Sequence, residues 1–142
     1  LVIAGSGASA QLLQHEVLND DRYNTSILNR YIPNKELVGL IRNASLIICP
    51  YTDATQSGVL MTSFALSKPV VATRVGAFKE HIQPDANGCL VDANDKDQLA
   101  AAIIQYLKDN RFLELENNLK ENNKQNPWEV NKPVLADAYQ VT

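Results

Sequence analysis

The sequence predicts an α/β domain with a Rossmann-like, doubly wound parallel sheet and helices on both faces. Two observations carry this expectation. Short apolar runs alternate with helix-compatible stretches about five times along the 142 residues, the order of a βαβ chain. The runs are also continuous rather than alternating with polar residues, as expected of strands covered on both faces. With only 6% aromatic residues, the core has to be built from Val, Ile, Leu and Ala.

The elements follow in order. Leu1 to Ala4 reads as the first strand, ended by Gly5-Ser6-Gly7. Ala8 to Leu18 is helix-compatible, and Asn19-Asp20-Asp21 breaks it. Ser26 to Leu28 is a short strand. Pro33 permits a new helix, with Asn34 as N-cap for Lys35 to Asn43. Leu46 to Cys49 is a buried strand stopped by Pro50, which has no N–H for a ladder. Ser57 to Leu66 is helical, and Pro69 to Thr73 is a β-branched strand. Gly76 marks a turn before a short helix from Ala77 to Ile82. Asn87-Gly88 is a turn signal ahead of the strand Cys89 to Val91. Asp95 caps a helix whose apolar stripe is Leu99, Ala102, Ile103, Tyr106 and Leu107. Asn110 closes that helix, and Phe112 to Lys120 is the next. The polar stretch Glu121 to Asn126 is weakly specified, Pro127-Trp128 breaks the chain, and Val134 to Tyr139 is a last helix.

Composition excludes several function classes. The net charge of −3, from 13 basic and 16 acidic residues, leaves no basic field, so no nucleic-acid partner is expected. No apolar run approaches the roughly 20 residues of a membrane span. Cys49 and Cys89 lie far apart in sequence, and two reduced, buried thiols of a cytosolic protein are expected rather than a disulfide or a metal site. His15 and His81 have no partner at metal-ligand spacing and are expected at solvated or half-buried helix positions. The length suits one domain. The chain opens inside a strand, without an initiator Met or a signal-peptide pattern, and is expected to be cut from a larger protein.

Parallel α/β sheets bind ligands outside the carboxyl ends of their strands, near helix N-termini. Three loops there carry signals. Gly5-Ser6-Gly7 follows a strand and precedes a helix, with Ala10 where a dinucleotide fingerprint has its third Gly. A tight turn and a phosphate site are both compatible with it. A nicotinamide dehydrogenase would need an acidic ribose ligand after the second strand, and none stands there. The stronger signal is Asp53-Ala54-Thr55-Gln56-Ser57-Gly58-Val59. Ser57 can cap the helix, leaving N–H groups near Gly58, Val59 and Leu60 toward the crevice, where the helix end suits a phosphate. A bare N-cap is the plainer reading of Ser57, but it gives no reason for a glycine at the helix start. The third loop holds Arg74, which meets a phosphate or is solvated, with solvation favoured, and Glu80 in the next helix's first turn.

In these pieces the chain resembles, from Leu1 to about Leu107, the carboxyl-terminal, donor-binding half of a family 4 retaining glycosyltransferase of GT-B architecture. The matching segments, in the family's order, are Leu1 to Gly7, Ile32-Pro33, Asn43-Ala44-Ser45, Leu46 to Pro50, Ser57-Gly58-Val59, Ser67 to Thr73, Val75-Gly76 with Glu80, and Asn87 to Asp92. Pro127-Trp128-Glu129 resembles the family's aromatic landmark before its last helix. The resemblance implies that residues 1–142 are a nucleotide-sugar-binding domain shortened on its N-terminal side. Residues 1–109 would be the motif-bearing core and 110–142 a helical tail.

The family's two glutamates, seven residues apart, fall on Ala54 and Thr62, neither of them acidic. Asp53, beside the first position, takes over the donor-sugar contact in a subgroup with a similar run, whereas Thr62 offers the ribose one hydroxyl. The resemblance further implies a nucleobase near Arg30, Tyr31 and Ile32, with packing an equal reading for Tyr31. Gly5, Gly7, Gln56, Ser57, Gly58 and Val59 would be further donor-binding residues. The diphosphate-clamping Arg and Lys and the acceptor domain with its active-site His would lie upstream of Leu1. The implied parent moves a sugar from a UDP- or GDP-sugar to a glycan or glycolipid acceptor, without cofactor or metal. It would work in polysaccharide biosynthesis in the cytoplasm, at the inner face of the cytoplasmic membrane, through peripheral contacts of the absent half. This chain alone would be inactive. The alternative is a non-catalytic binding domain that keeps the fold.

Overall fold

The computed structural model describes residues 1–6, 20–53 and 57–125. The expected helices Ala8 to Leu18 and Val134 to Tyr139, together with Gly7, Ala10, His15, Ala54, Gln56 and Pro127-Trp128-Glu129, lie outside them. The chain divides into two compact units, Leu1–Leu37 and Val38–Thr142.

In the smaller unit, β1 (Val2–Ala4) pairs in parallel with β2 (Ser26–Leu28), Ile3 opposite Ile27. Before β2, a 3-10 turn at Asp21–Tyr23 is capped by Asp20, whose carboxylate accepts the Arg22 N–H. Every described side chain in residues 1–37 is exposed or half-buried. The first turn of α1 (Asn34–Asn43), which runs on into the larger unit, closes on the Pro33 carbonyl through the Leu37 N–H at 2.9 Å. Asn34 is therefore the first helical residue and not the cap. The proline ring sets the entry dihedral and its carbonyl takes the first helical bond.

The larger unit is a βαβαβ run. Its strands β3 (Ile47–Cys49), β4 (Val70–Thr73) and β5 (Gly88–Val91) form one parallel ladder with β4 central. The helices are α2 (Gly58–Ala65), α3 (Phe78–His81), α4 (Lys96–Lys108) and α5 (Arg111–Gln125). All four residues of β4 are buried, so both faces are covered, as its unbroken apolar run requires. Val70 and Ala72 pack with Cys49, Leu60 of α2, Phe78 of α3 and Ile82. Val71 points the other way, toward Val91 and Ala102 of α4. The expected α/β class with parallel strands and helices on both faces is what the chain adopts, with the strands hydrogen-bonded in two ladders, β1–β2 and β3–β4–β5.

Some local expectations shift. The Asn87-Gly88 signal does mark a turn, at residues 85–87, but Gly88 itself is the first residue of β5, so close to β4 that a Cβ there would sit 2.1 Å from the Val70 carbonyl oxygen. Its own carbonyl accepts the buried Tyr106 hydroxyl at 3.1 Å. Leu107 leaves the α4 stripe and is exposed, while Ala102 and Tyr106 are buried. Asp95 caps α4 by accepting the Gln98 N–H, and Asn110 follows it at φ 51.

The polar stretch from Glu121 is helical, because α5 continues to Gln125. Tertiary contacts supply what propensity lacks. Leu115 and Leu119 are buried, and the Asn123 amide donates to the Phe64 carbonyl and the Ser67 hydroxyl, both at 2.9 Å. Ser67 occupies the left-handed position after α2 at φ 57, with Ser67 and Lys68 donating back to the Phe64 and Ser63 carbonyls. This is a Schellman closure of the kind glycine usually makes.

Candidate functional site

The strongest sequence signal lies at the carboxyl end of the larger ladder. β3 ends at Cys49, Pro50 halts it, and the chain passes through Tyr51, Thr52 and exposed Asp53 before α2 begins. Ser57 is in extended backbone (φ −137, ψ 107) and its hydroxyl accepts the Leu60 N–H at 3.2 Å. The expected N-cap is therefore present. Gly58 and Val59 open the helix, so their N–H groups have no acceptor within it. Gly58 is exposed and a Cβ there would meet nothing within 4 Å. Steric need does not account for this glycine, and it leaves the helix start bare. Thr62 lies one turn further along α2, half-buried.

The loop is anchored from below. Tyr51 is half-buried, and its ring packs on Phe78 with centroids 5.5 Å apart. Burial raises the Tyr51 phenol above its ordinary value, the Cys49 neighbour adds to this, and a hydrogen-bonding contact with Ser57 partly offsets it. Burial likewise pushes the Cys49 thiol up to about 11, so it stays protonated and unreactive near neutral pH. Thr73, at the end of β4, turns its buried hydroxyl to the Tyr51 and Cys49 carbonyls. Neither Tyr51 nor Thr73 stood out in the sequence as a site residue. The available signal for Thr73 was a hydroxyl ending an otherwise apolar buried strand.

Arg74 and Glu80 are exposed. Arg74 reaches the Asp92 carboxylate and the Leu90 carbonyl, both at 3.4 Å, so it is solvated with loose local partners. The thiols of Cys49 and Cys89 are both free, the first buried and the second half-buried, and His81 is exposed at the end of α3.

The remaining candidates belong to the smaller unit. Gly5, at φ +143, and Arg30 both donate their N–H to the Leu28 carbonyl, at 3.1 and 2.9 Å. The loops after β1 and β2 are thereby brought together. The positive φ gives Gly5 a tight-turn role in its own right. The Arg30 guanidinium is held by Glu36 in a two-pronged pair at 2.8 and 2.5 Å and also reaches the Tyr31 carbonyl. This partner raises the guanidinium further and lowers the Glu36 carboxyl. Tyr31 is 74% exposed and Ile32 half-buried.

Residues 1–126 match the family described as Glycosyl transferases group 1. The chain belongs to this family. Among its relatives is an uncharacterized glycosyltransferase of Methanocaldococcus jannaschii, 27% identical over 89% of this chain and 36% of the relative. Another is the D-inositol 3-phosphate glycosyltransferase of Corynebacterium jeikeium, 31% identical over 77% of this chain and 27% of the relative. The fold is also that of sucrose-phosphate synthase from Thermosynechococcus elongatus, with a TM-score of 0.66 at 20% identity over 96% of this chain and 37% of that one. This glycosyl transferases group 1 chain thus spans about a third of the proteins it matches. Among the described residues, no three His, Cys, Asp or Glu side chains converge to hold a metal, and no helix is long and apolar enough to cross a membrane. A shallow cleft of about 420 Å³, lined by Ser67, Lys120 and Asn123 among others, lies at the far end of α2 from Ser57 and joins none of the candidate residues.

Proposed function

We propose that this chain is the carboxyl-terminal, donor-binding domain of a family 4 retaining glycosyltransferase, and that it binds the nucleoside diphosphate of a UDP- or GDP-sugar. The observation that carries this is the bare, Ser57-capped start of α2, which follows the exposed Asp53 in sequence. In the parent, the bond between the sugar's C1 and the diphosphate oxygen breaks, and an acceptor hydroxyl oxygen bonds to C1 on the same face while its proton passes to the departing diphosphate. The negative charge left on the diphosphate is what has to be stabilised. Oriented N–H groups at Gly58 and Val59 meet that charge without reorganising, which is the reason to read the reaction as metal-independent. Asp53 hydrogen-bonds the sugar hydroxyls, and Thr62 gives the ribose a single hydroxyl. Gln56 is a further proposed donor contact of this loop, and in the smaller unit Gly5, Gly7 and the Arg30-Tyr31-Ile32 loop are proposed donor contacts in their own right. The acceptor, a glycan or glycolipid, and the work at the cytoplasmic membrane face belong to the parent's other half, so this chain transfers nothing alone.

Titration of the isotopically labelled chain with UDP and with GDP tests the reading by NMR. Millimolar nucleotide is expected to shift the Ser57, Gly58 and Val59 amides, and the absence of such shifts with both overturns it. A second reading, a non-catalytic domain, is favoured by the neutral residue at Thr62. Thr62→Glu in the full-length protein separates the two: a large gain in donor affinity with no transfer supports the non-catalytic domain.

A further inference from the structure

The loop that carries Asp53 has to be held still for that carboxylate to meet a sugar, yet neither Tyr51 nor Asp53 is in a helix or strand. The support comes from the neighbouring strand. Thr73 is the last residue of β4 and 4% exposed. Its hydroxyl oxygen lies 2.5 Å from the Tyr51 carbonyl oxygen and 3.4 Å from that of Cys49. A hydroxyl has one proton to donate, and the shorter contact assigns it to Tyr51. The bond therefore skips the ladder and ties β4 to the loop two residues beyond β3. The Tyr51 ring, on the residue fixed at that point, packs at a tilt against buried Phe78. One buried hydroxyl thus anchors the start of the loop that carries Asp53.

We propose that Thr73 is a positioning residue for donor binding, fixing the Tyr51 carbonyl and through it the Asp53 loop. The proposal rests on the donor-binding reading above. It goes beyond that reading by placing a determinant of affinity on a buried residue that touches no ligand. Supporting residues of this kind commonly decide whether a site is held tightly enough to work. Valine matches threonine in shape but leaves the Tyr51 carbonyl without its donor, which costs more than a bond lost to water.

The test is nucleotide titration of the chain and its Thr73→Val, Thr73→Ser and Thr73→Cys variants with UDP and GDP, followed by NMR. T73V is expected to keep the fold, to displace the Tyr51, Thr52 and Asp53 amide resonances, and to weaken nucleotide affinity roughly five- to tenfold. T73S is expected to restore both. A merely structural role would lower the melting temperature of T73V and leave the affinity of the folded protein unchanged, and that result overturns the proposal. Should T73V not fold, T73C carries the test, with a smaller weakening expected from its poorer donor and unchanged affinity overturning the proposal. If the unsubstituted chain binds neither nucleotide, the donor-binding reading itself fails. If it binds one and T73V and T73C bind equally well, only the Thr73 proposal fails.

Discussion

The two units are built from the same parts and held in different ways. In Leu1–Leu37 the ladder has two strands of three residues each, no described side chain is buried, and fixation comes from polar links. Asp20 grips Arg22, Glu36 grips Arg30, and the Leu28 carbonyl is shared by two loop amides. In the larger unit the middle strand is buried along its whole length and helices cover both faces. The lesson is that a parallel strand becomes rigid when it is covered on both faces, because burial on each side removes apolar area from water. Exposed ion pairs hold a loop's shape but contribute little to stability.

The sharpest way to break this contrast is Gly88→Ala. The new Cβ would lie 2.1 Å from a backbone oxygen of β4, so the central ladder has to separate. A loss beyond about 3 kcal/mol is expected, read as collapse of hydrogen-exchange protection for the Val70 to Val91 amides. Unchanged protection there would mean that the two-sided packing is not what holds the unit.

Alkali probes the same core more gently. Because burial raises the Cys49 thiol from its ordinary 9.0 to about 11, its stabilising share is fully present below pH 9. It is lost as pH rises from 9 toward 11, a change on the order of 2–3 kcal/mol. Urea midpoints at pH 8 and pH 10.5 should diverge for the native chain and much less for Cys49→Ala.

Smaller again is Ser57→Ala, which removes the α2 cap and should cost about 1 kcal/mol in urea unfolding, while Ser57→Asp should restore it. The least effect is expected from Arg30→Ala. Its guanidinium is solvent-exposed beside Glu36, so the thermal midpoint should not move measurably, although the Tyr31 amide resonance should. A large fall in the midpoint would place Arg30 among the groups that hold the smaller unit together.

Much of this could be read from the residues in order. Short apolar runs announced β2 with its observed bounds and β4 to within one residue, and Ser57 and Asp95 announced the starts of α2 and α4. These features are local: a hydroxyl or carboxylate caps the amide three residues on, and a strand buried on both faces has no polar alternation. The family resemblance was legible for the same reason, since short loops at strand ends keep their spacing.

What the residues could not announce depends on distant partners. A polar run from Glu121 has no reason to be helical until Asn123 meets Phe64 and Ser67. Asn87-Gly88 announces the turn at residues 85–87, but not that Gly88 already lies against Val70 in the ladder. Arg30 reads only as part of the loop near a nucleobase until Glu36 faces it, and Thr73 is an ordinary strand residue until the Tyr51 carbonyl meets its hydroxyl. The sequence by itself determined the α/β class, the element order and the capped helix start on which the proposed donor site rests. Only the tertiary structure decided which buried hydroxyl steadies the loop above that helix, because the hydrogen bond joins residues 22 apart that only the packing of β3 beside β4 brings together.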